Sequence, residues 1–90
     1  TRRAYEYEIQ HLESLGYGAI IFFDVDDFKK INDQFGHQYG DQCLSTIAGL
    51  IRKSFSGIGF CYRIGGDEFG VLSDKADEID ILNAISLFII

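Results

Sequence analysis

The sequence predicts an α+β sandwich of the ferredoxin-like or palm type, with helices packed on a mainly antiparallel sheet. Three observations lead there. A continuous apolar run, AIIFFDVD at residues 19–26, ends abruptly in acids, as a strand buried on both faces would. Two β-rich runs, FCYRI and FGVLS, flank a Gly-Gly-Asp-Glu turn and read as an antiparallel hairpin. Between the first strand and the hairpin lies helical periodicity, so a helical crossover joins the first two strands.

Each element has its own signal. Residues 2–15 form a helix with Tyr5, Ile9 and Leu12 on one face, stopped by Gly16. The strand at 19–26 is the predicted centre of the sheet. A short helix follows at about 27–35 and breaks at Gly36. Asp41 is placed to cap the next helix, in which Leu44, Ile47, Ala48, Ile51 and Phe55 repeat with the spacing of one buried face. Serines and glycines at 54–59 make a loop, and the hairpin follows. A last helix is expected from about Asp74 or Lys75 through the apolar tail. The order is α-β-α-α-β-β-α. The strand that would conclude such a sandwich is not visible, so the domain, spanning 1–90, is expected to be incomplete at both ends. The tail residues Leu87, Phe88, Ile89 and Ile90 are expected to form an exposed apolar patch.

Composition narrows the function. Ninety residues make one domain, and 47% hydrophobic with 24% charged residues are ordinary globular values that argue against wholesale disorder. A net charge of -6 argues against gripping nucleic acid or an anionic membrane through bulk electrostatics. A small phosphorylated ligand stays open, because metal ions can meet its charge locally. Cys43 and Cys61 lack metal-ligand spacing and read as buried free thiols of a reducing cytosol. The uncharged tract ILNAISLFII is too short to span a bilayer as a helix.

The acids carry the chemistry. Asp24 and Asp26 stand at the end of the first strand, Asp67 and Glu68 at the hairpin tip. If the hairpin pairs beside the first strand, two carboxylate clusters converge at one edge of the sheet. Clustered carboxylate oxygens suit hard cations such as Mg²⁺, which favours a few carboxylates plus phosphate and water. Residues 25–28 turn into a helix start whose free N–H groups suit a phosphate, with Lys29 adding positive charge. Asn32 and Asp41 offer an amide and a carboxylate that suit a base edge. A carboxylate is a good acceptor for the paired N1–H and N2–H₂ donors of guanine.

The stretches FFDVDDFKKINDQFGHQYGDQCL and RIGGDEFGVL, in this order and at this distance, resemble the diguanylate cyclase family of GGDEF domains over residues 19–73. RRAYE at 2–6 is similar to the end of that family's N-terminal signature, with Thr1 where asparagine is usual. The resemblance implies a palm-type nucleotidyl cyclase sandwich that condenses two GTP into cyclic di-GMP and two pyrophosphates. It implies Mg²⁺, with Mn²⁺ as the alternative, bound by Asp24, the backbone carbonyl of Val25, Asp67 and Glu68. Asp67 and Glu68 would be catalytic, Asp67 being the acid tied to activation of the 3′-hydroxyl. Asp27, Phe28 and Lys29 would hold phosphates, and Asn32 and Asp41 would bind guanine. Gly65 and Gly66 would let the hairpin backbone approach the nucleotide. A homodimer for catalysis, a cytoplasmic location and attachment to a sensory region, membrane-anchored in some members, are also implied. No nucleic-acid partner and no direct membrane contact from this segment are expected.

Blander readings stand beside these. A Gly-Gly-Asp-Glu hairpin alone is an ordinary solvated turn, and only the first-strand acids make it more. Asp41 serves equally as a helix cap. His37 reads as structural, and Arg63 as an anchor on its strand. Members of the family regulated by product carry an Arg-x-x-Asp pair shortly before the signature, where this chain has the uncharged Ser56-Gly57-Ile58-Gly59. The family's basic C-terminal helix, which grips the triphosphate, is missing too. The alternative function is therefore a truncated or inactive GTP-binding module without turnover.

Overall fold

The computed structural model of the protein describes residues 1–16, 18–74 and 77–89, with side chains described through Ser86. Chain order is α1 (Arg2–Leu15), β1 (Ala19–Asp24), α2 (Phe28–Phe35), α3 (His37–Ser54), β2 (Phe60–Arg63), β3 (Glu68–Ser73) and α4 (Glu78–Ile89). The predicted order α-β-α-α-β-β-α holds throughout.

The helix ends follow local chemistry. Thr1 caps α1 by accepting a hydrogen bond from the Ala4 N–H at 3.1 Å. Gly16, left-handed at φ 77°, ends it, and its N–H returns to the carbonyls of Leu12 and Glu13. Gly36, at φ 90°, ends α2 and opens α3 at once. The expected cap at Asp41 is therefore corrected. Helix α3 starts at His37, because a glycine in this conformation re-aims the chain within one residue and leaves Asp41 inside the helix. Exposed His37 makes no side-chain hydrogen bond among the described residues. Helix α4 starts at Glu78, later than expected, with the Ile79 N–H on the Asp77 carboxylate at 3.1 Å. Lys75, an expected starting point, lies outside the described residues, as do the tail side chains Leu87, Phe88, Ile89 and Ile90.

The three strands lie in the order β1-β3-β2, with β3 antiparallel to both neighbours. β1 and β2 are therefore parallel to each other, as the helical crossover requires, with β3 between them. This corrects the placement of β1 at the centre. β1 is an edge strand, and its alternate residues Ile20 and Phe22 are 53% and 58% exposed. The centre belongs to β3, buried from Phe69 through Ser73. A run of apolar residues marks a strand without saying which neighbours will cover it.

Two cores sandwich the sheet. On one face Leu44, Ile51 and Phe55 meet Phe69 and Val71 of β3 and Ala84 of α4. Ile21, Phe23, Val25 and Phe28 pack around this group. The predicted α3 face is thus the face that is buried. On the other, Tyr5 and Leu12 of α1 cover Ile64 and Leu72, and the Tyr5 and Tyr62 rings lie 5.7 Å apart. Neither Cys43 nor Cys61 is fully buried; both are free and half-buried. Burial pushes the Cys61 thiol up, against the opposing pull of Arg52. Among the described residues no helix is long and apolar enough to cross a membrane.

The cores generate two expectations. Phe69 is 2% exposed, so Phe69→Ala should cost roughly 3–5 kcal/mol. That is a large share of the roughly 5–15 kcal/mol typical of a domain. Phe22→Ala, on the open side of β1, should change stability by no more than about 0.5 kcal/mol. Urea unfolding followed by circular dichroism distinguishes the two, and equal losses would contradict the described burial.

Burial raises the phenols of Tyr5 and Tyr62 above the ordinary tyrosine value; Arg2 opposes this at Tyr5 and Glu8 adds to it at Tyr62. The folded state thus favours their neutral forms. The stability this lends is complete below a pH of about 10 and is lost as pH rises through the raised values. Tyr5→Phe should flatten the alkaline fall in melting temperature; a fall of unchanged steepness would show that these phenols do not carry it.

Candidate functional site

The register of β1 against β3 sets Asp24 opposite Glu68. Partners in an antiparallel ladder point to the same face, so both carboxylates leave the sheet together at its end. Glu68 is the first residue of β3 and not part of the turn, because pairing with β1 extends to it. One residue further, the Val25 N–H donates to the Asp67 carbonyl at 3.1 Å. That bond ties the end of β1 to the hairpin tip. Asp24 and Asp26 are exposed, while Asp67 and Glu68 are half-exposed.

The hairpin tip is held from within. The Ile64 and Gly65 N–H groups donate to the Glu68 carbonyl at 2.9 and 3.4 Å. Arg63 donates from Nε to the Gly65 carbonyl at 3.3 Å and from Nη2 to the Gly66 carbonyl at 2.7 Å. The arginine read as a strand anchor thus braces the glycine turn itself. Neither Gly65 nor Gly66 adopts a positive φ. A Cβ on Gly65 would collide with the Glu68 carboxylate, whereas one on Gly66 would meet open space. Inside this chain, then, Gly65 makes room for an acid, and Gly66 borders open space.

Beyond β1 the chain turns through Asp27, left-handed at φ 56° and the only described non-glycine residue with positive φ. This conformation is uncommon outside glycine and is tolerated best by aspartate and asparagine. Asp27 begins α2 without a side-chain cap, and its carbonyl accepts the N–H groups of Lys30 and Ile31 at 2.9 and 3.3 Å. The N–H groups of Phe28 and Lys29 have no acceptor among the described residues. The Lys30–Asp27 ion pair, at 3.9 Å and well exposed, contributes little.

Asn32 belongs to the seam between α2 and α3. Asn32 Oδ1 is buried with no hydrogen-bond partner among the described residues. It lies against Gly40, whose missing Cβ would occupy the same space. Asp41 follows on the exposed side of α3. The structure therefore brings Asp24, Val25, Asp67 and Glu68 together at the sheet end. It carries Asp27, Phe28 and Lys29 into the start of the adjoining helix, sets Asn32 in the helix seam and leaves Asp41 on the exposed side of α3. Sequence reasoning passed over Gly40; the spacing of a glycine one residue before Asp41 was its only signal.

Among the described residues no group of three or more His, Cys, Asp or Glu side chains is gathered so that it could hold a metal ion. The donors present are hard oxygens, the cross-strand carboxylates of Asp24 and Glu68 and the backbone carbonyl of Val25. They fit a cation that takes its remaining ligands from phosphate and water. A cavity of about 320 Å³ lies elsewhere, between α1 and the 57–60 loop, and is lined by Glu8, His11, Tyr62 and Asp74 among others. Its acids make poor company for a phosphate.

Known proteins share this fold. The family described as "Diguanylate cyclase, GGDEF domain" matches residues 2–88. A diguanylate cyclase of Vibrio cholerae is 51% identical over 57 residues, 63% of this chain and 18% of that protein. The cyclic di-GMP phosphodiesterase NbdA of Pseudomonas aeruginosa is 44% identical over 77 residues, 81% of this chain and 10% of that protein. Among solved structures, the isolated GGDEF domain of Pseudomonas aeruginosa YfiN superposes with a TM-score of 0.84 at 35% identity. That match covers 98% of this chain and 55% of the solved one. The chain thus spans a small part of these two curated relatives and about half of a separate GGDEF domain. With its α+β fold, its paired acids and the match over 2–88, the chain belongs to the diguanylate cyclase GGDEF-domain family.

Proposed function

We propose that the chain carries a half-site for cyclic di-GMP synthesis, binding one GTP and acting opposite a second copy. The observation behind this reading is the Asp24–Glu68 pair at the sheet end, tied through Val25 and Asp67 to the glycine turn. Asp24, Glu68, Asp67 and the Val25 carbonyl would hold Mg²⁺, or Mn²⁺ in its place. When bound, that ion supplies charge neutralisation of the triphosphate and Lewis-acid activation.

The remaining work falls to the chain. The unused N–H groups of Phe28 and Lys29, with the Lys29 ammonium, face phosphate oxygens at the α2 start. Asp27 sets the turn that aims them. Asp41 accepts the N1–H and N2–H₂ of guanine, and Asn32 donates to its O6. Gly66 admits the nucleotide against the hairpin, with Gly65 leaving room for Glu68. Asp67 takes the proton of the 3′-hydroxyl as that oxygen bonds to the α-phosphorus of the GTP in the opposite copy. The α-phosphorus–oxygen bond to pyrophosphate breaks in the same step. A second transfer in the reverse sense closes the ring. Reaction in both senses requires two antiparallel half-sites, hence a two-fold dimer.

A second reading is a GTP-binding module without turnover. It is favoured by the open acid site and by the similarity to NbdA, a protein named for cyclic di-GMP hydrolysis. Incubation with GTP and Mg²⁺ separates the two. Cyclic di-GMP and pyrophosphate in a 1:2 ratio mark the enzyme, and GTP binding without product marks the module.

Asp24→Ala and Glu68→Ala should each abolish Mg²⁺-dependent GTP binding. Like charges facing each other across a ladder are destabilising, so the melting temperature without metal should hold or rise. An unchanged Mg²⁺ titration in both variants would overturn the metal site.

GTP should bind more tightly than ATP, because adenine sets an acceptor against Asp41. An acceptor that a bound base covers and leaves unmatched costs roughly 1–3 kcal/mol, about tenfold to a hundredfold in affinity. Equal affinities by calorimetry would remove the guanine assignment.

A further inference from the structure

The geometry points to Gly40 as the positioning residue for the guanine-reading amide of Asn32. This rests on the guanine reading above and adds the device that sets it. Helix α3 approaches α2 so closely at Gly40 that an added Cβ would overlap Asn32 Oδ1 and come within 3.1 Å of both Asn32 Cγ and Phe28 Cζ. Gly40 has no positive φ and sits within α3, so backbone conformation gives no reason for glycine there. The reason is contact. The missing side chain is the space that the Asn32 carboxamide fills.

The fit is functional more than stabilising. Asn32 Oδ1 is buried with no hydrogen bond among the described residues, a costly state for an amide oxygen, and glycine within a helix is less favourable than alanine. Both features lower stability. Both hold the carboxamide against α3, one residue from Asp41, where its amide nitrogen and the Asp41 carboxylate can face one base edge. What a Cβ displaces first is the end of a short side chain and not backbone. Asn32 can swing out, freeing Oδ1 to water, while the helices stay packed. Gly40→Ala therefore separates the two properties: the fold keeps or gains stability, and the base reading is lost.

The experiment is a double-mutant cycle on the full 90-residue chain with Gly40→Ala, Asn32→Ala and the pair. Calorimetry with Mg²⁺ reads GTP and ATP affinities, and melting gives stability. The preference for GTP should fall roughly tenfold in each single variant, with no further fall in the pair. The melting temperature of Gly40→Ala should hold or rise. If Asn32→Ala loses the preference and Gly40→Ala retains it, positioning by Gly40 is overturned and guanine reading stands. Independent, additive losses overturn it equally. If the unaltered chain shows no preference, the guanine reading fails. The Asn32 side-chain amide signal in a ¹⁵N correlation spectrum then decides the steric claim. It should shift in Gly40→Ala, and an unmoved signal would overturn it.

Discussion

Pairing of β1 with β3 is the constraint on which both halves of the molecule depend. The register that sets Asp24 against Glu68 also sets Ile21 against Val71 and Phe23 against Phe69, all packed into the core beneath α3. A slip of one residue would turn Phe23 and Ile21 to the open face and carry Asp24 into the core. Because burial of the aromatic and aliphatic side chains forbids that slip, the carboxylates are held by apolar packing several residues away. The acids need not attract one another, and as like charges they do not. The core holds them together.

The site is assembled from short, stiff connections. Val25 passes directly from the ladder into the turn, and its bond to Asp67 closes the sheet end. Asp27 turns the chain in a left-handed conformation, and α2 begins within one residue. Gly36 then joins α2 to α3 without a loop. With so little slack, the donors at the α2 start and the side chains along the α2–α3 seam follow from where β1 ends. Arg63 does the same for the hairpin, tying two turn carbonyls to the strand before them. These contacts close off the sheet end, where Asp24 and Asp26 are exposed and Asp67 and Glu68 half-exposed.

Much of this was legible in the residues. Tyr5, Ile9 and Leu12 mark the α1 face, and the Leu44-to-Phe55 spacing marks the α3 face, because helical periodicity reflects which side is buried whatever the partner. Gly16 and Gly36 stop helices for the local reason that they alone adopt these backbone angles readily. The hairpin and the two acid clusters were likewise visible, since turn chemistry and strand ends are local properties.

Pairing and contact were not local, and there only the tertiary structure decided. AIIFFDVD identifies a strand, yet its edge position depends on β3 inserting between β1 and β2, a choice made by the sheet as a whole. Asp41 has the chemistry of a helix cap, yet it lies inside α3 because Gly36 opens the helix first. Gly65 read as backbone access for a ligand, and its nearest obstacle proved to be Glu68 of the same turn. Gly40 carried no message by itself, because the reason for a missing side chain is the atom that stands in its place. Residue type and spacing determined the helices, the hairpin and which carboxylates could meet. Whether they met, on which face, and what each glycine made room for depended on distances between segments far apart in the chain, which only packing sets.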